Sequence, residues 1–242
     1  RDHTERMLRS MGVTVLTEPG GITRIEPPAG ALQPLQITLP GDMSAAAFLI
    51  GAALITPGSR LVRRQVGLNP GRTGLLEALQ SMGGDIKLTD IHECHGEPAG
   101  DITATHSDLQ AVRVGGEQVV RMIDEFPAFA VAAAYARGET LVEDASELRH
   151  KESDRITDLT IELAKLGVQM SETADGFRVL GGKPVLGGEV EPHGDHRLAM
   201  ALTVAGLAAQ SSVLIKQAGI ISESFPQFPE LLESLGGKIN LL

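Results

Sequence analysis

The stretch GDHRLAMALTVAGLAAQSSVLI (194–215) sets the reading of the fold. An aspartate precedes a run of small and aliphatic residues, the run breaks at Gln-Ser-Ser, and a strand-like segment follows. Two other stretches share this order: GDMSAAAFLIGAALITPGSRLV (41–62) and IDEFPAFAVAAAYARGETLVE (123–143). Asp42, Asp124 and Asp195 head the three, at intervals of 82 and 71 residues. An aspartate at a helix start can accept from the first free N–H groups and meets the positive end of the helix dipole. Alanines every three or four residues let helix backbones approach closely, which predicts helices that are buried rather than amphipathic.

A second pattern alternates with the first: an amphipathic helix ending in Leu-Gly or Met-Gly, then a strand. Its copies are HTERMLRSMGVTVLT (3–17), TGLLEALQSMGGDIKL (73–88), SDRITDLTIELAKLGVQMS (153–171) and FPQFPELLESLGGKINLL (225–242). Gly12, Gly83, Gly167 and Gly236 stand where a left-handed C-terminal cap is needed. Together the patterns predict an α/β domain of three full units, each with buried helix, strand, amphipathic helix and strand. A fourth, truncated unit lies at the N-terminus. The Leu39-Pro40-Gly41 step is a candidate domain crossing, dividing 1–39 from 40–242.

The chain has 242 residues and a formal net charge of −10, which disfavours general binding to nucleic acid or an anionic membrane. An anionic ligand needs a local cationic cluster, and candidates lie around Arg60–Arg72 and Arg149–Arg155. The single cysteine, Cys94, excludes a disulfide framework and suits a reducing cytoplasm. The longest apolar run, 45–55, is too short to span a bilayer, and no signal peptide is expected.

ELRHKESDRITDL (147–159) concentrates charge at the start of an amphipathic helix, with Ser153 or Asp154 as cap. Lys151, Glu152 and Arg155 would share one rim if the helix starts early enough. They have two readings: a phosphate or carboxylate site at a helix N-terminus, or a solvated salt-bridge face. Asp124 likewise is either a cap or a base tuned by burial against a cation. His196 and Arg197 open the third buried helix. If the repeats are related by approximate symmetry, these helix starts converge on one pocket suited to small polyanions. HECH (92–95) lacks a zinc-ligand spacing and reads as a polar loop or hairpin, so no metal is expected.

RDHTERML, GDMSAAAFLIGAALITPGS, MIDEFPAFAVAAAYARGET, ELRHKESDRI, GDHRLAMA and SFPQF, in that order, resemble the 5-enolpyruvylshikimate-3-phosphate synthase family. The resemblance covers essentially the whole chain and is to the C-terminal part, a little over half, of such an enzyme. It implies the enolpyruvyl transferase fold: two inside-out domains of three βαβαββ units each, with helix N-termini facing the cleft between them. It implies enolpyruvyl transfer from phosphoenolpyruvate to shikimate 3-phosphate, without cofactor. By the same resemblance Asp124 is the base and Glu152 the acid. Arg155 and Arg197 would hold phosphoenolpyruvate, Arg1, Lys151 and Asp124 would contact shikimate 3-phosphate, and His196 would be a pocket neighbour.

The pattern departs from the family in two places. Glu223 stands where many members have a lysine, so no phosphoenolpyruvate contact is assigned there. The family's N-terminal Lys-Ser pair, Asn-Ala-Gly-Thr-like loop and Ser-Ala-Gln segment have no counterpart in these 242 residues. The chain alone is therefore expected to be inactive or nearly so, its partner being the missing N-terminal domain. A UDP-N-acetylglucosamine 1-carboxyvinyltransferase is the enzyme alternative, disfavoured by the context of Cys94. A half-domain that only binds or folds is the non-catalytic one.

Overall fold

The computed structural model describes residues 1–240. Helix α1 (His3–Ser10) leads into an antiparallel hairpin, β1 (Val15–Glu18) and β2 (Ile22–Ile25). Residues 26–40 hold neither helix nor strand.

The first repeat runs α2 (Met43–Ile55), β3 (Arg60–Gly67), α3 (Gly74–Ser81), β4 (Asp85–Cys94) and β5 (Glu97–Thr105). Its sheet order is β3-β5-β4, and Gly41 adds a parallel bridge to Val66 on β3. The second repeat runs β6 (Arg113–Val114), α4 (Glu117–Arg121), α5 (Phe126–Tyr135), β7 (Gly138–Val142), α6 (Arg155–Lys165), β8 (Gln169–Glu172) and β9 (Phe177–Gly181). Its order, β6-β7-β9-β8, repeats the first: a parallel entry strand, then an antiparallel hairpin inserted in reversed order.

The third repeat departs from the expectation of three full units. β10 (Gly188–Val190) pairs parallel with β11 (Val213–Ile215), flanked by α7 (His196–Leu207) and α8 (Phe228–Ser234). No antiparallel hairpin follows among the described residues. The strand expected after Gly236 is absent from 238–240, and Leu241 and Leu242 lie outside the described residues.

The buried helices are as the alanine spacing predicts. Every residue of α2 except Ala45 is buried, as is every residue of α5 except Tyr135. α2, α5 and α7 pack on one another, and the Tyr135 hydroxyl donates to the Ala205 carbonyl at 2.7 Å, stitching α5 to α7. The amphipathic helices α1, α3, α6 and α8 all end on one device. Gly12, Gly83, Gly167 and Gly236 have φ of 85°, 87°, 80° and 100°. The N–H one residue further on, in Val13, Gly84, Val168 and Gly237, donates to the carbonyl five residues back at 3.0, 2.9, 3.1 and 2.8 Å. That closes otherwise unpaired carbonyls and turns the chain.

HECH forms the turn end of the β4–β5 hairpin, with His95 and Gly96 both at positive φ. No helix among the described residues is long and apolar enough to cross a membrane.

Strand β9 approaches the end of α5 so closely that its last residue admits no side chain. A Cβ at Gly181 would lie 2.2 Å from the Ala133 carbonyl oxygen and 2.3 Å from that of Ala136. Gly181→Ala should cost about 3 kcal/mol in urea unfolding. A loss below about 0.5 kcal/mol would contradict this packing.

Candidate active site

Four helix starts meet at one end of the buried bundle. α6 begins at Arg155, later than a shared rim requires, with Asp154 as its cap accepting from the Ile156 and Thr157 N–H groups at 3.2 and 3.1 Å. Lys151 and Glu152 therefore sit in the turn before the helix, while Arg155 is fully buried. This excludes the solvated-face reading for Arg155.

Asp195, also fully buried, caps α7 by accepting from the N–H groups of Arg197 and Leu198 at 2.8 and 3.3 Å. The same carboxylate accepts from Arg155 Nε at 2.7 Å and Nη2 at 3.4 Å. Arg155 Nη2 also donates to Glu152 at 2.7 Å. Its remaining nitrogen, Nη1, is buried without a hydrogen-bond partner among the described residues and lies 4.0 Å from Asp124 Oδ1.

Asp124 is the hub. Arg1 Nη2 donates to its Oδ2 at 2.5 Å, and Lys151 Nζ stands 3.9 Å from Oδ1. Arg197 Nη1 donates to its backbone carbonyl at 3.2 Å, leaving Arg197 Nε buried and unpaired among the described residues. Burial pushes the Asp124 carboxyl up, but the Arg1 hydrogen bond and the fields of Arg197, Arg1 and Lys151 prevail and hold it below the usual range. The helix-head expectation fails here: Asp42 and Asp195 cap their helices, while the N-cap of α5 is Glu125 and Asp124 makes no capping bond.

Arg1 is placed by the residues that follow it. Asn69 donates to Asp2 at 2.8 Å and to the buried Glu97 at 3.0 Å, and His3 pairs with Glu97 at 2.7 Å. Burial opposes ionisation of Asp2, but hydrogen bonds from Arg6 and Asn69 lower its pKa to about 2. His196 opens α7 half-buried and makes no hydrogen bond or ion pair among the described residues.

Sequence reasoning missed Glu125 and Ser44, and had Arg72 only as one end of a cationic stretch. Glu125 is almost wholly buried, accepts a short hydrogen bond from the Ser44 hydroxyl, and lies 3.7 Å from Arg72. Arg72 donates to Ser44 at 2.6 Å and to Asp42 at 3.2 Å. Burial raises the Glu125 carboxyl above the usual glutamate range, outweighing Ser44 and Arg72. The only hint in the sequence is the second acid in DEFP.

The family model described as EPSP synthase (3-phosphoshikimate 1-carboxyvinyltransferase) matches residues 1–232. A 3-phosphoshikimate 1-carboxyvinyltransferase of Geobacter sp. (strain M21) is 48% identical over 97% of this chain and 54% of its own length. One from Desulforudis audaxviator (strain MP104C) is 47% identical over 97% of this chain and 54% of its own length. The chain thus spans about half the length of the curated relatives it matches. An EPSP synthase from Acinetobacter baumannii superposes with a TM-score of 0.93 at 40% identity, covering 99% of this chain and 55% of that one. The enolpyruvyl transferase NikO from Streptomyces tendae shares the fold, with a TM-score of 0.74 at 21% identity over 96% of this chain and 52% of its own.

Two stability measurements probe this site. Asp195→Ala strips a cap from α7 and strands the buried Arg155, so unfolding should become easier by about 3–5 kcal/mol. A loss near zero would mean that Arg155 is not buried as described. At Glu125 the folded state holds its proton more tightly than the unfolded chain. Folding is therefore favoured at low pH, an advantage lost as pH rises from the ordinary glutamate range through the raised native value. Glu125→Gln should remove that dependence, so its Tm relative to the parent should climb with pH. A difference that stays flat, or falls, would contradict the raised carboxyl.

Proposed function

The chain belongs to the EPSP synthase family, and on that premise we propose that it is the C-terminal half of an enzyme transferring the enolpyruvyl group from phosphoenolpyruvate to the 5-hydroxyl of shikimate 3-phosphate. The observation that carries this reading is the ionised Asp124 at the meeting of helix starts, within 4.0 Å of the side chains of Arg1, Lys151 and Arg155. In this reading residues 1–39 close the N-terminal domain and 40–242 form the C-terminal one. The rest of the N-terminal domain supplies the other wall of the cleft.

The roles follow from charge and reach. Arg155 Nη1 and Arg197 Nε are buried donors without partners among the described residues, which suits them to the carboxylate and phosphate of phosphoenolpyruvate. Arg1 and Lys151 take shikimate 3-phosphate, with His196 beside them. While these cations face Asp124, its low pKa makes it a weak base. Anionic substrates draw the cations toward themselves and raise its proton affinity. Asp124 then removes the 5-hydroxyl proton as that oxygen adds to C2 of phosphoenolpyruvate. Glu152, the most exposed carboxylate of the cluster at 45%, delivers the proton to C3. The tetrahedral adduct next loses inorganic phosphate from C2 and a proton from C3, restoring the double bond. The atoms balance without a metal or redox cofactor. The cytoplasm is the compartment this reading assigns, in keeping with a lone unpaired cysteine.

In the full-length protein, Glu152→Gln should lower kcat about 100-fold or more with little change in Tm. An unchanged rate would remove Glu152 as the acid. The 242-residue chain alone should release no phosphate from the two substrates, and robust turnover by it would refute the half-site reading. Activity of the full-length protein with UDP-N-acetylglucosamine in place of shikimate 3-phosphate would favour the related transferase.

A further inference from the structure

Three buried helices begin on one plan, and the middle one breaks it. Asp42 lies in extended backbone (φ −69°, ψ 129°) and accepts from the Ala45 N–H at 2.9 Å. Asp195 does the same (φ −105°, ψ 112°), accepting from Leu198 as well as Arg197. Each uses the N–H three residues ahead. Three residues ahead of Asp124 stands Pro127, which has no N–H. The N-cap position has passed to Glu125, whose backbone is already near-helical (φ −97°, ψ −1°) and whose side chain makes no cap. That side chain reaches across to Ser44 at the start of α2, with Arg72 from the 70–72 turn closing over both.

We infer that Glu125 and Pro127 are positioning residues that keep Asp124 off its own helix and present its carboxylate to Arg1 and Lys151. Pro127 withholds the donor three residues ahead that both equivalent aspartates use, leaving Asp124 only the Phe126 N–H, the counterpart of the Arg197 N–H that Asp195 also takes. Glu125 anchors the first turn of α5 to α2, so the preceding residue is turned toward the cluster instead of back along the helix. A glutamate serves where a hydrophobic residue would not, because it receives the Ser44 hydroxyl and faces Arg72 in a space from which water is excluded. The two residues act on the orientation of Asp124 rather than on any reacting atom.

The test uses the 242-residue chain and does not depend on turnover, so it stands or falls apart from the enzymatic reading. The Asp124 carboxyl is followed by carbon NMR through a pH titration, with and without Arg1→Gln. In the parent, Arg1→Gln should move the Asp124 midpoint upward, because Arg1 is its nearest cation. In the Glu125→Ala/Pro127→Ala double variant Asp124 should cap α5, and Arg1→Gln should no longer move it. Glu125→Gln alone keeps both the Ser44 contact and Pro127, and should retain the displacement. An equally large effect of Arg1→Gln in the double variant would overturn the inference. That result would reduce Glu125 to a brace, whose loss lowers Tm without touching the coupling. If the double variant does not fold, Pro127→Ala alone restores the missing donor with no buried group removed. There, weakened coupling supports the inference and unchanged coupling overturns it.

Discussion

The structure of the site depends on one buried guanidinium. Arg155 has no exposed surface, and its partner carboxylate on α7, that of Asp195, has none either. Taking both charges out of water costs several kcal/mol each, and only near-complete hydrogen bonding offsets that. Asp195 meets the condition with four donors, two from Arg155 and two from the first turn of α7. Arg155 meets it only partly. Glu152 takes one further bond, and Nη1 is left facing Asp124 beyond hydrogen-bond distance. The pair therefore fixes the start of α6 against the start of α7 and leaves a buried donor aimed at the hub.

The repeats explain how such an arrangement arises in a chain of net charge −10. Buried helices with small side chains pack closely, and when successive units share one topology their N-termini come to the same end. Each start brings backbone N–H groups and a positive dipole end. Arg1, Lys151, Arg155 and Arg197 add four cations to the three carboxylates of Asp124, Glu152 and Asp195. The local field is thus set by geometry and opposes the global charge. Further from the hub, Glu162 braces the same region: buried in α6, it holds the Glu191 N–H at 2.9 Å and His193 at 2.7 Å, just ahead of Asp195.

Periodic features were legible in the sequence. Alanine spacing identified the buried helices, four glycines identified the left-handed caps, and the convergence of helix starts followed from the repeat. Features set by neighbours distant in the chain were not. From its own stretch Arg155 could be read either as a solvated charge or as an anion ligand, because the partner that buries it is 40 residues away on another helix. Glu125 went unread beside Asp124 because its partner Ser44 lies 81 residues earlier. Of the two readings left open for Asp124, the cap fails, and Pro127 was visible: it lacks the N–H three residues ahead that Asp42 and Asp195 both use. In the third unit FPQFPELLESLGGKINLL forms helix α8 and its glycine turn, and no strand follows in 238–240, the last of the described residues.

The claim that converging helix starts create a local anion site in an acidic chain is tested most directly by adding inorganic phosphate to the 242-residue protein. The arginine side chains are followed by nitrogen NMR. The expected result is a saturable shift confined to Arg155 and Arg197, with the exposed Arg60 and Arg64 on β3 unmoved. A weak, unsaturable shift shared by all arginines would contradict it.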